Sequence, residues 1–216
     1  MEETKKIKVL VVDDQQMSRQ LFEMYVKSSE KYELVYSLGN AMSADLYCQQ
    51  RPVDLVLMDV LMKEGIDGLE AAARIKKNQP GIKIIIVTSM PEVSYLKRAR
   101  EIGVDSFWYK ETSREPILEI MDRTIAGEHI YPDQTPTLQL GYALSTDFTE
   151  RELDILREMT TGASNAEIAD TLHLSPNTVR NYIQQLMSKT GYKSRTELAV
   201  NARVKGLVIS REAGKS

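Results

Sequence analysis

Five short apolar runs set the terms for the first 130 residues: 6–12, 32–37, 53–59, 83–88 and 105–109. Between them lie segments of helical spacing. Met17, Leu21, Met24 and Tyr25 recur within 16–28, and a second such segment covers 41–50. Ala72, Ala73 and Ile75 mark 69–78, a fourth segment covers 92–102, and Ile117, Leu118, Ile120, Met121 and Ile125 form one stripe in 113–127. Strand followed by helix, five times over, closes as a parallel sheet with helices on both faces and right-handed crossovers. The runs 53–59 and 83–87 are apolar on both faces, as expected of strands covered on two sides. Pro52, Pro80 with Gly81, and Gly103 end helices, while Gly65 and Gly68 allow a tight path after the third strand.

Beyond residue 130 the pattern changes. Residues 131–146 hold Pro132, Pro136 and Gly141 without a clear period, and read as a linker between a domain at 5–130 and a second at 147–210. The second domain is helical throughout, at 149–161, 165–172, 176–190 and 194–205. Ser164 and Ser175 suit N-caps, Pro176 a first helical position, and Gly162 and Gly206 helix ends. Charge separates the halves. Lys and Arg number 18 against 22 Asp and Glu over 1–146, and 10 against 9 from 147 onward. The lone Cys48 permits no internal disulfide, and His129 and His173 have no ligand cluster around them. No apolar stretch nears the ~18 residues of a membrane span, so a cytoplasmic protein with no membrane partner is expected.

Strand ends carry the chemistry. Asp13 and Asp14 close the first run, Asp59 the third, Thr88 the fourth and Lys110 the fifth. Parallel strands bring their carboxyl ends to one edge, where sites of open α/β sheets lie. Three acids there repel one another, and a divalent cation relieves the repulsion. Oxygen-only ligands suit Mg2+, which often binds beside a phosphate.

This ordered set resembles the site of a two-component receiver domain over residues 5 to about 130. The resemblance implies a five-stranded, doubly wound parallel α/β sheet of the flavodoxin-like kind. It also implies phosphorylation of Asp59 by a sensor histidine kinase. Asp14, Asp59 and the backbone carbonyl of Leu61 would hold Mg2+, with Asp13 acting mostly through water. Thr88 and Lys110 would bind the phosphoryl oxygens, and Phe107 matches the switch aromatic. Lys63 stands where the family usually has Pro, the segment to Gly68 is one residue longer than the pattern, and Glu111 replaces a frequent Pro.

The pieces TERELDIL, SNAEIADTLHLSPNTVRNYIQQLMSKTG and SRTELA resemble a LuxR-type helix-turn-helix, as in NarL-like regulators. No acid occurs between Thr171 and Thr196 while Lys and Arg do, the electrostatic mark of a groove binder. The resemblance places Arg180, Asn181 and Gln184 on the base-reading side, with Asn177, Thr178 and Gln185 beside them. Lys189 and Arg195 match phosphate contacts on double-stranded DNA. Asn and Gln can pair with adenine edges, and Arg with guanine or phosphate. The last helix serves dimerisation in the family, so a homodimer on activation is expected.

The whole then reads as a phosphorylation-switched transcription regulator rather than an enzyme, with at most self-phosphorylation and self-dephosphorylation. Two competitors share the motifs. An atypical regulator would ignore phosphorylation. An aspartyl-phosphate hydrolase would need an acid two residues after Asp59, where Leu61 stands.

Overall fold

The computed structural model describes residues 5–62, 65–110, 113, 115–133 and 135–208; the departures at Lys63 and Glu111 lie outside them. Two compact units form. One comprises the described residues up to Ser89 together with those from Tyr95 to Asp133, and the other Met90–Ser94 with Thr135 to Val208.

The first unit holds strands β1 (Ile7–Val12), β2 (Tyr32–Leu38), β3 (Leu55–Met58), β4 (Lys83–Thr88) and β5 (Ser106–Tyr109), all parallel, in the order β2-β1-β3-β4-β5. The order reverses between β1 and β3, which opens a crevice at their carboxyl ends. Helices α1 (Gln16–Lys27), α2 (Ala44–Gln50), α3 (Gly68–Asn78), α4 (Val93–Ile102) and α5 (Ile117–Ile125) connect and follow the strands. All four residues of β3 are buried, as are Ile84 to Thr88 of β4. Burial of each such Val, Leu or Ile contributes ~1.5–3 kcal/mol, so these central strands anchor the unit.

Two helices start later than their periodicity suggests. Pro116 precedes α5 with extended backbone angles, and a proline biases the residue before it away from helix. Ahead of α2, the Asn40 side chain accepts the Ser43 N–H at 3.2 Å, and this turn delays the helix to Ala44.

Gly68 is a steric requirement. A Cβ there would lie 1.8 Å from the Asp59 carbonyl oxygen, so only glycine lets α3 close onto the end of β3. Asp67 caps the same helix, accepting the Glu70 N–H at 2.7 Å.

Asp105, buried just before β5, takes the Lys76 ammonium, the Lys83 ammonium at 3.0 Å and the Ile84 N–H at 2.9 Å. Burial alone would raise its pKa. Its three donors outweigh burial and hold the carboxyl below the usual range. Its contribution to stability is therefore complete above about pH 4 and disappears as pH falls through the lowered folded value. Asp105→Ala leaves the half-buried Lys76 ammonium with only the Ile82 carbonyl, and should cost about 3 kcal/mol at pH 7 in urea unfolding. A loss under about 1 kcal/mol, the scale of an exposed pair, would refute this account.

The second unit has α6 (Glu150–Thr160), α7 (Asn165–Leu172), α8 (Pro176–Thr190) and α9 (Arg195–Val204). Thr149 with Glu152, and Ser164 with Glu167, form capping boxes; Ser175 and Ser194 cap α8 and α9. Ile155, Leu156, Ile168, Val179, Ile183, Leu186 and Leu198 meet in one core. His173 takes a left-handed conformation (φ 53°) and turns the chain from α7 into α8.

The expected linker, 131–146, is structured at both ends. Gln139–Leu140 (β6) and Ala143–Leu144 (β7) pair antiparallel, and Leu140 and Ala143 belong to the second unit's core. Gly141 makes the turn at φ 61°, and a Cβ there would meet the Thr190 carbonyl at 1.8 Å. At the other end, Ile130 extends the sheet beside β5: its carbonyl accepts the Phe107 N–H at 2.8 Å. Tyr131 donates its hydroxyl to the Val104 carbonyl at 2.7 Å. Among the described residues, no helix is long and apolar enough to cross a membrane.

Candidate functional site

Pairing of β1 with β3 sets Val12 opposite Met58, so the next residues, Asp13 and Asp59, emerge side by side. The Asp59 N–H bonds the Val12 carbonyl at 2.9 Å, which locks that alignment. Thr88 pairs with Tyr109, and Lys110 N–H bonds the Thr88 carbonyl at 2.9 Å. Four strands thus deliver Asp13, Asp59, Thr88 and Lys110 to one edge. Asp13, Asp59 and Thr88 are buried, and Asp14 is half-buried beside them.

The Lys110 ammonium bridges the two buried carboxylates, 2.7 Å from Asp13 Oδ2 and 2.9 Å from Asp59 Oδ2. Burial pushes the Asp59 carboxyl up to about 6. Lys110 opposes that shift, Asp13 adds to it, and the Leu61 N–H, 3.4 Å from Asp59 Oδ1, opposes it slightly. Burial would lower the Lys110 pKa, but Asp59 and Asp13 together hold it above its ordinary value. At neutral pH the site is therefore a mostly ionised Asp59 held against a charged lysine.

Two residues here escape motif reading. Ser18 donates its hydroxyl to Asp13 Oδ2 at 2.6 Å, and Arg19 Nη1 donates to the Asp13 carbonyl at 2.7 Å. Gln15 N–H takes Asp13 Oδ1 at 2.8 Å. Ser18 and Arg19 lie in the first turn of α1, five and six residues past Asp13, a spacing that brings them back over the strand end. With Lys110, they leave Asp13 nearly saturated. Asp13, Asp14 and Asp59 nevertheless offer oxygens that all lie within 4.8 Å of one another, a group able to hold a metal ion. Hard oxygen donors and net negative charge fit a divalent cation such as Mg2+.

Phe107, three residues before Lys110, is buried, with its ring 5.0 Å from Tyr109 and 6.4 Å from Tyr131. Arg100 lies over the Tyr131 ring at 4.4 Å. The segment leaving the first unit is therefore packed against the residue expected to act as a switch. Cys48 is buried, and burial raises its thiol pKa to about 12, which leaves it unreactive at neutral pH.

In the second unit, α8 buries Val179, Ile183 and Leu186 and exposes Asn177, Arg180, Asn181, Gln184 and Gln185. Thr178 is half-buried, and its hydroxyl is 2.8 Å from that of Ser175. The two residues expected at phosphates, Lys189 and Arg195, also bond within the unit. Lys189 gives its ammonium to Glu152 at 2.6 and 2.8 Å and to the Asp147 carbonyl at 2.9 Å. Arg195 bonds Asn165 Oδ1 at 3.0 Å and the Ala163 carbonyl at 2.8 Å. Glu152 is buried, and an acid withdrawn from water needs a cation, which Lys189 supplies.

A receiver sheet with an acidic pocket bridged by lysine, joined to a helix-turn-helix, defines a signalling protein with a DNA-binding output. Residues 9–122 match the response regulator receiver domain, and residues 146–202 the bacterial regulatory proteins of the luxR family. The chain belongs to the two-component response regulators with a LuxR-type output domain, and is a transcriptional regulator with a phosphorylatable receiver. It is 34% identical over 201 residues to the response regulator protein VraR of Staphylococcus epidermidis, covering 91% of this chain and 96% of the relative. VraR of Staphylococcus aureus matches at the same identity and coverage.

Among solved structures, RcsB from Salmonella enterica serovar Typhimurium bound to a promoter with a phosphomimetic aligns at TM-score 0.61. The identity is 15%, over 94% of this chain and 100% of that one. The response regulator ChrA of a heme-sensing two-component system aligns at 0.52 and 21% identity, over 95% and 100%. At these identities the likeness is one of fold.

Proposed function

We propose that Asp59 is the phosphoacceptor of this regulator and that its phosphorylation by a sensor histidine kinase controls binding to double-stranded DNA. The observation that carries the reading is the Lys110 ammonium set between buried Asp13 and Asp59 at the sheet edge. An attacking carboxylate must meet an anionic phosphoryl group, and only fixed positive charge makes that approach tolerable.

In transfer from phosphohistidine, an Asp59 carboxylate oxygen forms the new O–P bond. The N–P bond breaks, and its electron pair returns to the imidazole. A pKa near 6 keeps the nucleophile ionised yet more basic than an ordinary carboxylate. Mg2+, held by Asp14, Asp59 and the Leu61 carbonyl with Asp13 acting through water, would neutralise phosphoryl charge. Lys110 and the Thr88 hydroxyl would bind the phosphoryl oxygens. The phosphoaspartate adds roughly one to two negative charges that draw Thr88 and Lys110 toward it. Phe107 then shifts, and with it the Ile130–Tyr131 segment bonded beside β5. Any catalysis is confined to the chain's own phosphorylation and dephosphorylation.

Dimerisation on activation and a cytoplasmic setting complete the reading; structures of RcsB dimers on DNA support the former by likeness of fold. Incubation with acetyl phosphate and Mg2+ tests the acceptor. One hydroxylamine-labile phosphoryl group mapped to Asp59 by mass is expected. No adduct, or an adduct elsewhere, would overturn the assignment and favour a regulator that ignores phosphorylation.

A further inference from the structure

The exposed face of α8 carries an unusual set of side chains. Asn177, Asn181 and Gln184 fall at i, i+4 and i+7, on one stripe opposite buried Val179 and Leu186. Arg180 flanks the stripe on one side and Gln185 on the other. Among the described residues, none of these five side chains has a hydrogen bond or ion pair within the protein. Three other polar side chains of the helix are engaged: Thr178 with Ser175, Lys189 with Glu152, Thr190 with the Leu186 carbonyl. Asn is a poor helix former, because its short amide competes for backbone hydrogen bonds. Asn181, exposed in the helix interior, therefore serves something other than the helix.

The chemistry of the stripe selects a ligand. A carboxamide presents a donor and an acceptor side by side, the complement of adenine N7 and N6 in the major groove. A guanidinium complements guanine O6 and N7, and cytosine N4 calls for a carboxylate acceptor. The stripe has amides at its centre, one guanidinium at its edge and no carboxylate between Thr171 and Thr196. From Asn177 to Gln184 the helix rises about 10 Å, the span of roughly three base pairs.

We infer that the half-site read by this chain has a core of about three A·T base pairs, contacted through adenine edges in the major groove by Asn177, Asn181 and Gln184. A G·C pair on one flank faces Arg180. The inference rests on the proposed DNA-binding function and narrows it to a class of sequence.

Selection from a random duplex pool by the full-length, acetyl-phosphate-treated chain tests it. Enriched half-sites should share the A·T core with a flanking guanine. Replacing a core adenine with 7-deazaadenine removes the N7 acceptor and leaves base pairing intact, and each replacement should weaken binding about fivefold. Asn181→Ala should relax preference at one core position.

Bound sites with a G·C core would overturn the inference. So would A·T cores insensitive to 7-deazaadenine, which would mean that groove shape is read instead. Both outcomes leave DNA binding itself intact. Failure to bind any duplex overturns both readings.

Discussion

Lys110→Met will destabilise the first unit by about 3–5 kcal/mol at pH 7 in the presence of a chelator. The ammonium is the shared partner of two carboxylates that are almost fully withdrawn from water, and Met keeps the stem while removing the charge. Asp13 and Asp59 then face one another with nothing between them, and the pair responds by binding a proton. The Asp59 pKa, already pushed up to about 6, moves higher still. A folded pKa above the unfolded one means that stability is present at low pH and is lost as pH rises through the folded value. The deficit of the variant should therefore be small near pH 4 and grow as pH rises, becoming full only above the raised folded pKa of Asp59. Added Mg2+ should restore part of it by taking the place of the lost charge. Urea unfolding of wild type and variant across that range provides the measurement. Equal stability at pH 7 would show that the bridge in the structure does not hold the acids together.

Asp59→Asn works in the opposite direction. A pKa displaced from about 4 to about 6 corresponds to roughly 3 kcal/mol of destabilisation once the group is ionised. That shift already sets the attraction to Lys110 against burial, so a gain of about 2–3 kcal/mol is expected at pH 8 without divalent cations. The gain should shrink as pH falls through about 6 and close below about 4, where the wild-type carboxyl is protonated in both states. The same substitution removes the nucleophile, so no phosphoryl group is taken up from acetyl phosphate. A variant more stable than wild type yet inert to phosphorylation separates a role in chemistry from a role in folding. An Asn variant no more stable than wild type at pH 8 would contradict the burial argument.

Most of the first unit was legible because its strands are buried on both faces and its site residues stand at strand ends. The position of Asp59 follows from a run of buried residues closed by an acid, and its partners from parallel strands sharing an edge. What escaped has local causes. The β6–β7 hairpin is written in alternation, with Leu138 and Leu140 before Gly141, but the run is short and sits among prolines. Ser18 and Arg19 reach the site through a helix turn rather than a strand end.

A cation in an acid-free stretch reads as exposed, yet Glu152 and Asn165, distant in sequence, bond Lys189 and Arg195 within the second unit. Burial of an acid is set by tertiary packing, and no local pattern reports it. The five side chains that remain outward on α8 lie on the face opposite buried Val179 and Leu186.

The central claim joins the two units: phosphorylation of Asp59 changes how this chain engages DNA. The most direct measurement is DNA affinity of the full-length chain before and after treatment with acetyl phosphate and Mg2+, in wild type and in Asp59→Asn, at one salt concentration. The account predicts that treatment tightens wild-type binding about tenfold, a coupling of ~1.4 kcal/mol, and leaves Asp59→Asn unmoved. Wild-type affinity that does not change on phosphorylation, or an equal change in both proteins, would contradict it.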